Sequence, residues 1–450
     1  MLYLIITLIF TYISGLLFKK ASGTISLRSP NMMSVIFYFY FLLNNVVGSI
    51  LVVNHIDDHY AINKLTDDAS RYYGYWTIMY TIIGFPIGQL IANNIFRKTR
   101  IHSIYNKYIS QPLCDEPRVI RNRVRLFAIV LSILSVLATA YTLEKLGGSP
   151  LKAVFSGADA SDLAILRGDA NRNFEGNGYI RNIFGIMLTP ILSYVAYGYK
   201  RLKNSSFNKI WFWGMFICSI LILTFDLEKS PLLWYLLGFV FFKVYLGYKL
   251  SNRVMLFVGG VLLSLVIAMY VVLMSLDLDA LFVFNHGIIG RLILSSNAGV
   301  FLSFDLFPAR HAFLGFSSFS MFLSNMFGFT YSERASRLIM EYVNPSGLAD
   351  GTAGVMNCLF VSEAWANWGI IGLVLSPMYV GFIIQCLYLF FLTSRKTPFI
   401  FALLIYFTIR CSINGGFNDY LYNATSTVLM ALMYLVYIFG RNVNVQSDKH

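Results

Sequence analysis

Eleven long apolar runs punctuate this 450-residue chain, and no other feature of the sequence restricts its fold so severely. A bilayer core about 30 Å thick is crossed by roughly 17–25 apolar residues as one α-helix, because unpaired backbone groups are not tolerated in hydrocarbon. The runs lie at about 2–18, 32–53, 73–96, 124–143, 180–199, 210–225, 231–248, 254–275, 360–392, 398–413 and 424–440. The expected fold class is all-α: a polytopic membrane protein with about 11 transmembrane helices, read as a single integral membrane domain over 1–450. The sixth, seventh and tenth runs are short. The ninth is longer than a span needs, which suggests that it begins on the membrane surface. Composition agrees, with 57% hydrophobic and 13% charged residues, against about 25% charged in a soluble domain. No positive residue precedes the first run and Lys19-Lys20 follows it, the reverse of a secretory signal peptide, so an uncleaved first span is expected.

The net charge of +13 is explained by where the charges fall. Alternate connections (19–31, 97–125, 200–209, 249–253, 393–398 and the tail 441–450) hold 21 Lys and Arg against 12 on the other side, which carries 19 of the 22 acidic residues. The positive-inside rule then places the basic connections in the cytoplasm, the N-terminus outside and the C-terminus inside. A basic rim facing anionic headgroups needs no nucleic-acid partner.

Helix-to-helix links usually take about 2–8 residues, and two connections are far longer. Both are expected outside, at about 144–179 and 276–359. The second contains short apolar stretches such as FSSFSMFLSNMF (316–327) that read as helices lying on the membrane.

These outer connections carry the residues that suggest chemistry. Arg167, Arg172 and Arg181 lie on the first, and Arg291, Arg310, Arg334 and Arg337 on the second. External arginines run against the positive-inside tendency, and a guanidinium recognises phosphate through a bidentate fork. Each taken alone also fits a surface ion pair or a snorkelling side chain. In LRGDANRNFEGNGYIRN (166–182), the glycines and asparagines favour turns that gather Arg167 and Arg172. Lys229, in DLEKSPLLWYLLGF, precedes Pro231 in the first turn of a span; it is a candidate for holding phosphate at a helix N-terminus or for pairing with Asp226 or Glu228. Arg410 stands in apolar surroundings near the outer end of the tenth run, facing a cavity or snorkelling. For proton transfer the outer candidates are His286, His311, Asp305, Glu333, Glu341, Asp350 and Glu363, with His311 (FPARHAF) and Glu363 (SEAWANWG) favoured; a plain structural hydrogen bond is the competing reading. The set suggests an extracytoplasmic pocket for a phosphorylated, lipid-linked substrate.

Absences narrow the classes. The sequence has no HExxH, GxxxxGK[ST], GxSxG or CxxC, which removes metalloprotease, P-loop, α/β-hydrolase and thiol-redox readings. Its five cysteines form no disulfide or metal framework, and no span carries the ladder of carboxylates expected of many ion-driven carriers.

Three local patterns, together with the spans and the two long loops, resemble the bacterial O-antigen and oligosaccharide repeat-unit polymerases (Wzy-type). The first is Arg167, ten residues, then Gly178; the second connection has no copy, since Arg337 to Gly347 is one residue short and Gly299 comes too soon after Arg291. The second is Lys229-Ser-Pro opening an apolar helix. The third is SEAWANWGIIGLVLSPMYVGF (362–382), an acidic residue and Asn-aromatic-Gly entering a late span.

The resemblance implies a metal-independent, cofactor-free membrane glycosyltransferase in the bacterial inner membrane. Its substrate would be undecaprenyl-diphosphate-linked repeat units at the periplasmic face, with membrane lipid and a chain-length regulator as partners. Arg167, Arg172, Gly178, Lys229, Arg291, Arg310 and Arg410 would bind diphosphate or sugar, with Glu363 and His311 catalytic. An O-antigen ligase and a transporter or flippase of lipid-linked sugars are the alternatives.

Overall fold

The computed structural model describes residues 2–148, 150, 152–153, 156, 166, 168, 170, 174–274, 287–328, 330–350, 353–423 and 426–435. Among them every regular element is helical. The principal helices, in chain order, are α1 (Leu2–Ser22), α2 (Met32–Val53), α3 (Ala69–Ile95), α4 (Ile101–Ser110), α5 (Arg118–Lys145), α6 (Ile180–Leu202), α7 (Ser206–Leu223), α8 (Lys229–Tyr245), α9 (Asn252–Met274), α10 (Ser296–Leu306), α11 (Met321–Phe327), α12 (Ala335–Val343), α13 (Pro345–Ala349), α14 (Phe360–Thr393), α15 (Pro398–Arg410) and α16 (Asn418–Leu421).

Seven helices among the described residues are long and apolar enough to cross a membrane: α1, α2, α3, α5, α6, α7 and α14. Shorter apolar helices cover Ser230–Tyr245, Asn252–Val261 and Pro398–Arg410, where the sequence leads one to expect further spans. The last expected run, 424–440, lies partly outside the described residues. The chain divides into two compact units, each assembled from separated segments: Met1–Asn106 with Leu276–Phe390 and Cys411–Asn423, and Lys107–Ser275 with Phe391–Arg410 and Ala424–His450.

In the first unit α1 turns Leu4, Leu8, Ile9 and Tyr12 outward, the face a lipid-bathed helix presents. Its inner face is fastened to α3 by polar hooks, Ser14 Oγ donating to the Ile82 carbonyl at 2.6 Å and Thr7 Oγ1 lying 2.9 Å from Tyr75 Oη. Where α3 meets α14 the backbones nearly touch: a Cβ at Gly88 would overlap the Met378 carbonyl, and one at Gly381 the Phe85 carbonyl. Small residues permit such close packing between membrane helices, where apolar burial against lipid contributes little.

Two sets of contacts order the connections of this unit. At one end the Gly23 carbonyl meets His102 Nδ1 at 2.8 Å, and Asn93 and Gln385 both donate to the Ala21 carbonyl at 2.9 Å. The basic connections 19–31 and 97–106 therefore meet. The 54–68 connection meets the long one at other contacts, with Thr66 Oγ1 donating to Asp305 Oδ1 at 2.8 Å and Tyr342 Oη to the Lys64 carbonyl at 3.0 Å.

Helix α14 is not continuous. Trp368 (φ −130°, ψ 15°) and Gly369 (φ 57°, ψ −135°) interrupt it, and only glycine takes the second conformation without strain. The interruption separates an eight-residue leading segment, Phe360–Asn367, from the long apolar remainder, as the length of the ninth run suggested. Its freed carbonyls are not orphaned: the Leu314 and Gly315 amides donate to the Ala366 and Asn367 carbonyls, each at 2.9 Å.

In the second unit Tyr194 Oη donates to the Tyr235 carbonyl at 2.6 Å, while Ser193 Oγ lies 2.5 Å from Tyr235 Oη, pinning α6 to α8. Lys396, in the α14–α15 connection, is fully buried. Its Nζ donates to the Gln111 and Tyr245 carbonyls at 2.8 and 2.9 Å and sits 4.4 Å from the Tyr108 ring centre. Burial pulls its ammonium down to about 8. Burial likewise pushes the Glu116 carboxyl, in the α4–α5 connection, up to about 7.

Candidate functional site

The most elaborate polar arrangement among the described residues surrounds Arg334 in the first unit. Arg334 is the extended residue (φ −69°, ψ 150°) that caps α12. Glu363 occupies the first turn of α14 and is 3% exposed. The two meet side-on, with Nε donating to Oε1 at 2.7 Å and Nη2 to Oε2 at 2.9 Å. Nη1 donates to Asp419 Oδ1 at 3.0 Å, and Asp419 is carried by α16.

Behind the ion pair lies a closed set of neutral groups. The Asn418 amide donates to Glu363 Oε2 at 2.8 Å. Asn367 Nδ2 donates to Asn418 Oδ1 at 3.0 Å, Asn418 Nδ2 to the Ser318 carbonyl at 2.9 Å, and Ser318 Oγ to Asn367 Oδ1 at 2.9 Å. Asn418, Asn367 and Ser318 are all buried. A satisfied buried network of this kind specifies one arrangement of its members.

The 411–423 segment is held at both sides of the cluster. The Phe360 amide donates to the Ile413 carbonyl at 3.0 Å, and Asn45 Nδ2 reaches Asn414 Oδ1 at 3.0 Å. Asn45 lies in a π-helical stretch of α2 (Ile36–Val46), and its Nδ2 also donates to the Tyr40 carbonyl at 2.7 Å. Such wide turns recur at functional sites. At Gly416 any side chain would strike the ion pair, since a Cβ there would overlap Arg334 Nη2 and Glu363 Oε2.

Burial alone would lower the Arg334 guanidinium, but the hydrogen bonds and charges of Glu363 and Asp419 outweigh it and hold the group above its ordinary value. Burial pushes the nearby Tyr331 hydroxyl and Cys358 thiol up, so both remain neutral. Two carboxylates against one guanidinium leave the cluster with a formal charge of −1, which disfavours it as a seat for a diphosphate. The guanidinium spends three of its five N–H donors on the carboxylates, and its side chain is 31% exposed. That geometry suits hydroxyl groups.

The residues singled out from the sequence distribute as follows. Arg167 and Arg172 lie outside the described residues. Gly178 lies immediately before α6; a Cβ there would meet nothing within 4 Å, so packing does not require glycine. Lys229 opens α8 with Pro231 in the first turn, as the sequence suggested. Arg291 is exposed in a π turn preceding α10, and Arg410 is exposed as the last residue of α15. Arg310 is engaged: Nη2 donates to Thr66 Oγ1 at 2.8 Å and lies 3.9 Å from Asp305 Oδ2, with the guanidinium 4.8 Å from the Tyr342 ring centre. His311 is exposed beside Phe307, their ring centres 5.8 Å apart.

Glu363 accepts hydrogen bonds from Arg334 and from the Asn418 amide. Both its oxygens are engaged as acceptors, and in this arrangement it orients Arg334. Sequence reasoning counted Arg334 among the outer arginines without distinguishing it, and missed Asp419, Asn418 and Gly416. The available signal was NGGFND (414–419), a glycine-rich turn with a carboxylate soon after an apolar run.

Among the described residues no group of His, Cys, Asp and Glu has metal-holding geometry. No known family matches this chain, nor does any curated protein or solved structure.

Proposed function

We propose that the chain is a membrane glycosyltransferase that polymerises undecaprenyl-diphosphate-linked oligosaccharide repeat units at the periplasmic face of the bacterial inner membrane. The observation that carries this reading is the Arg334 cluster, where an oriented guanidinium with two unspent N–H donors stands beside a half-exposed carboxylate. Planar polar groups in that relation bind sugar hydroxyls. The charges of this cluster sit on connections and helix ends, which favours an enzyme over a carrier with charges spaced along its spans.

In the proposed reaction a hydroxyl of the acceptor repeat unit attacks the anomeric carbon of the donor chain. The bond from that carbon to the lipid diphosphate breaks, and the diphosphate leaves with the electron pair. Direct displacement inverts the anomeric centre. Arg167 and Arg172 are proposed to bind diphosphate, as the resemblance implies through their arginine-to-glycine spacing. Lys229 is proposed alongside them.

The test is the gel banding of surface polysaccharide from a strain deleted for the gene, with and without a plasmid copy. Collapse of the ladder to core plus one repeat unit, restored by the plasmid, is the expected result. An unchanged ladder would remove the chain from this role, and loss of every repeat-bearing band would point to a ligase or flippase.

A further inference from the structure

The two carboxylates on Arg334 are not equivalent. Glu363 is buried and both its oxygens accept hydrogen bonds. Asp419 has a side chain 38% exposed. Its Oδ1 accepts from Arg334 Nη1 and, at 3.3 Å, from Asn423 Nδ2, while its Oδ2 takes no hydrogen bond from the described residues. One carboxylate thus holds the arginine, and the other is held by it with an oxygen to spare. Pairs of acidic groups in unlike surroundings commonly divide their roles in this way.

We propose that Asp419 is the proton acceptor for the attacking hydroxyl, an inference that rests on the glycosyltransferase reading. In the step, the acceptor oxygen forms its bond to the anomeric carbon as the carbon–oxygen bond to the diphosphate breaks. The hydroxyl proton passes to Asp419 Oδ2, and the leaving electron pair resides on the diphosphate. A weak base suffices, because the hydroxyl becomes acidic only as its oxygen bonds to carbon. Arg334 keeps Oδ1 occupied and so directs Oδ2 outward, and its unspent N–H donors are available to a neighbouring sugar hydroxyl. Glu363 acts through Arg334 and is a positioning residue.

The experiment restores the deletion strain with wild-type, Asp419→Asn and Asp419→Glu chains, scoring ladder length against time and membrane abundance by immunoblot. Asn preserves an acceptor for Arg334 but is not a base. Asp419→Asn is expected to cut the polymerisation rate at least 100-fold at normal abundance, with Asp419→Glu recovering part of the ladder. A ladder from Asp419→Asn within threefold of wild type would overturn the assignment while leaving the glycosyltransferase reading intact. Failure of the wild-type plasmid to alter the ladder would instead sink that reading. If Asp419→Asn fails to accumulate, the Glu variant decides: accumulation with a wild-type rate would overturn the assignment, and accumulation with a reduced rate would support it.

Discussion

Arg334 and Glu363 stand 29 residues apart in sequence and meet through two parallel N–H···O contacts of 2.7 and 2.9 Å, one partner a third exposed and the other buried. Removing one member of a buried ion pair leaves the other uncompensated, at a cost of about 3–5 kcal/mol. Partial exposure of Arg334 places the expected loss near the lower figure. Glu363→Gln should lower the thermal unfolding midpoint in detergent and abolish polymer. Arg334→Lys should rescue little, since an ammonium cannot form the side-on pair. A lysine variant with wild-type stability and ladder would contradict this account.

Gly416→Ala removes no polar group, yet its methyl would enter the space of Arg334 Nη2 and Glu363 Oε2. Loss of the ladder at normal membrane abundance is expected, whereas Gly214→Ala in α7, with open space around it, should be well tolerated. Equal behaviour of the two variants would mean that the Arg334 cluster is not the site.

Glu116 makes stability depend on pH. Its carboxyl lies at about 7 when folded, against 4.5 when free, so the folded state holds the proton more tightly. Its contribution is fully present below pH 4.5 and is lost as pH rises to 7, on the order of 3 kcal/mol over that window. Lys396, depressed to about 8 from 10.5, titrates above this window. Unfolding midpoints measured from pH 5 to 7 should fall for wild type and remain flatter for Glu116→Gln; parallel curves would refute the burial argument.

Arg167→Ala should abolish polymer formation with unchanged abundance, because Arg167 is proposed to meet the leaving diphosphate. Wild-type banding from that variant would end the assignment.

Reporter fusions after residues 110 and 160 should report cytoplasm and periplasm respectively. The reverse pattern would move the proposed chemistry to the wrong face.

Much of the helical framework was legible because hydrophobic run length is a local property: α1, α2, α3 and α14 fall close to where 2–18, 32–53, 73–96 and 360–392 predict them. The break in α14 was visible only as excess length, since Gly369 resembles any other glycine until its φ is known. The site was less legible. Glu363 stood out as an acidic residue at the mouth of a span, but nothing local distinguishes Arg334 from Arg310 or Arg337. What selects it is contact with Asp419, 85 residues away in sequence, and long-range pairing leaves no periodicity to read. Arg310, which the sequence favoured, is already engaged with Thr66 and Asp305.

The bond between Asn45 and Asn414 spans 369 residues. A ribosome adding about 5–20 residues per second leaves Asn45 waiting roughly twenty seconds or more for its partner. Arg334 and Glu363 are likewise made before Asp419. The polar centre therefore cannot close until residue 419 has been made. A message cut short before residue 411 would leave the Asn45 amide without Asn414 and Arg334 with Glu363 as its one carboxylate.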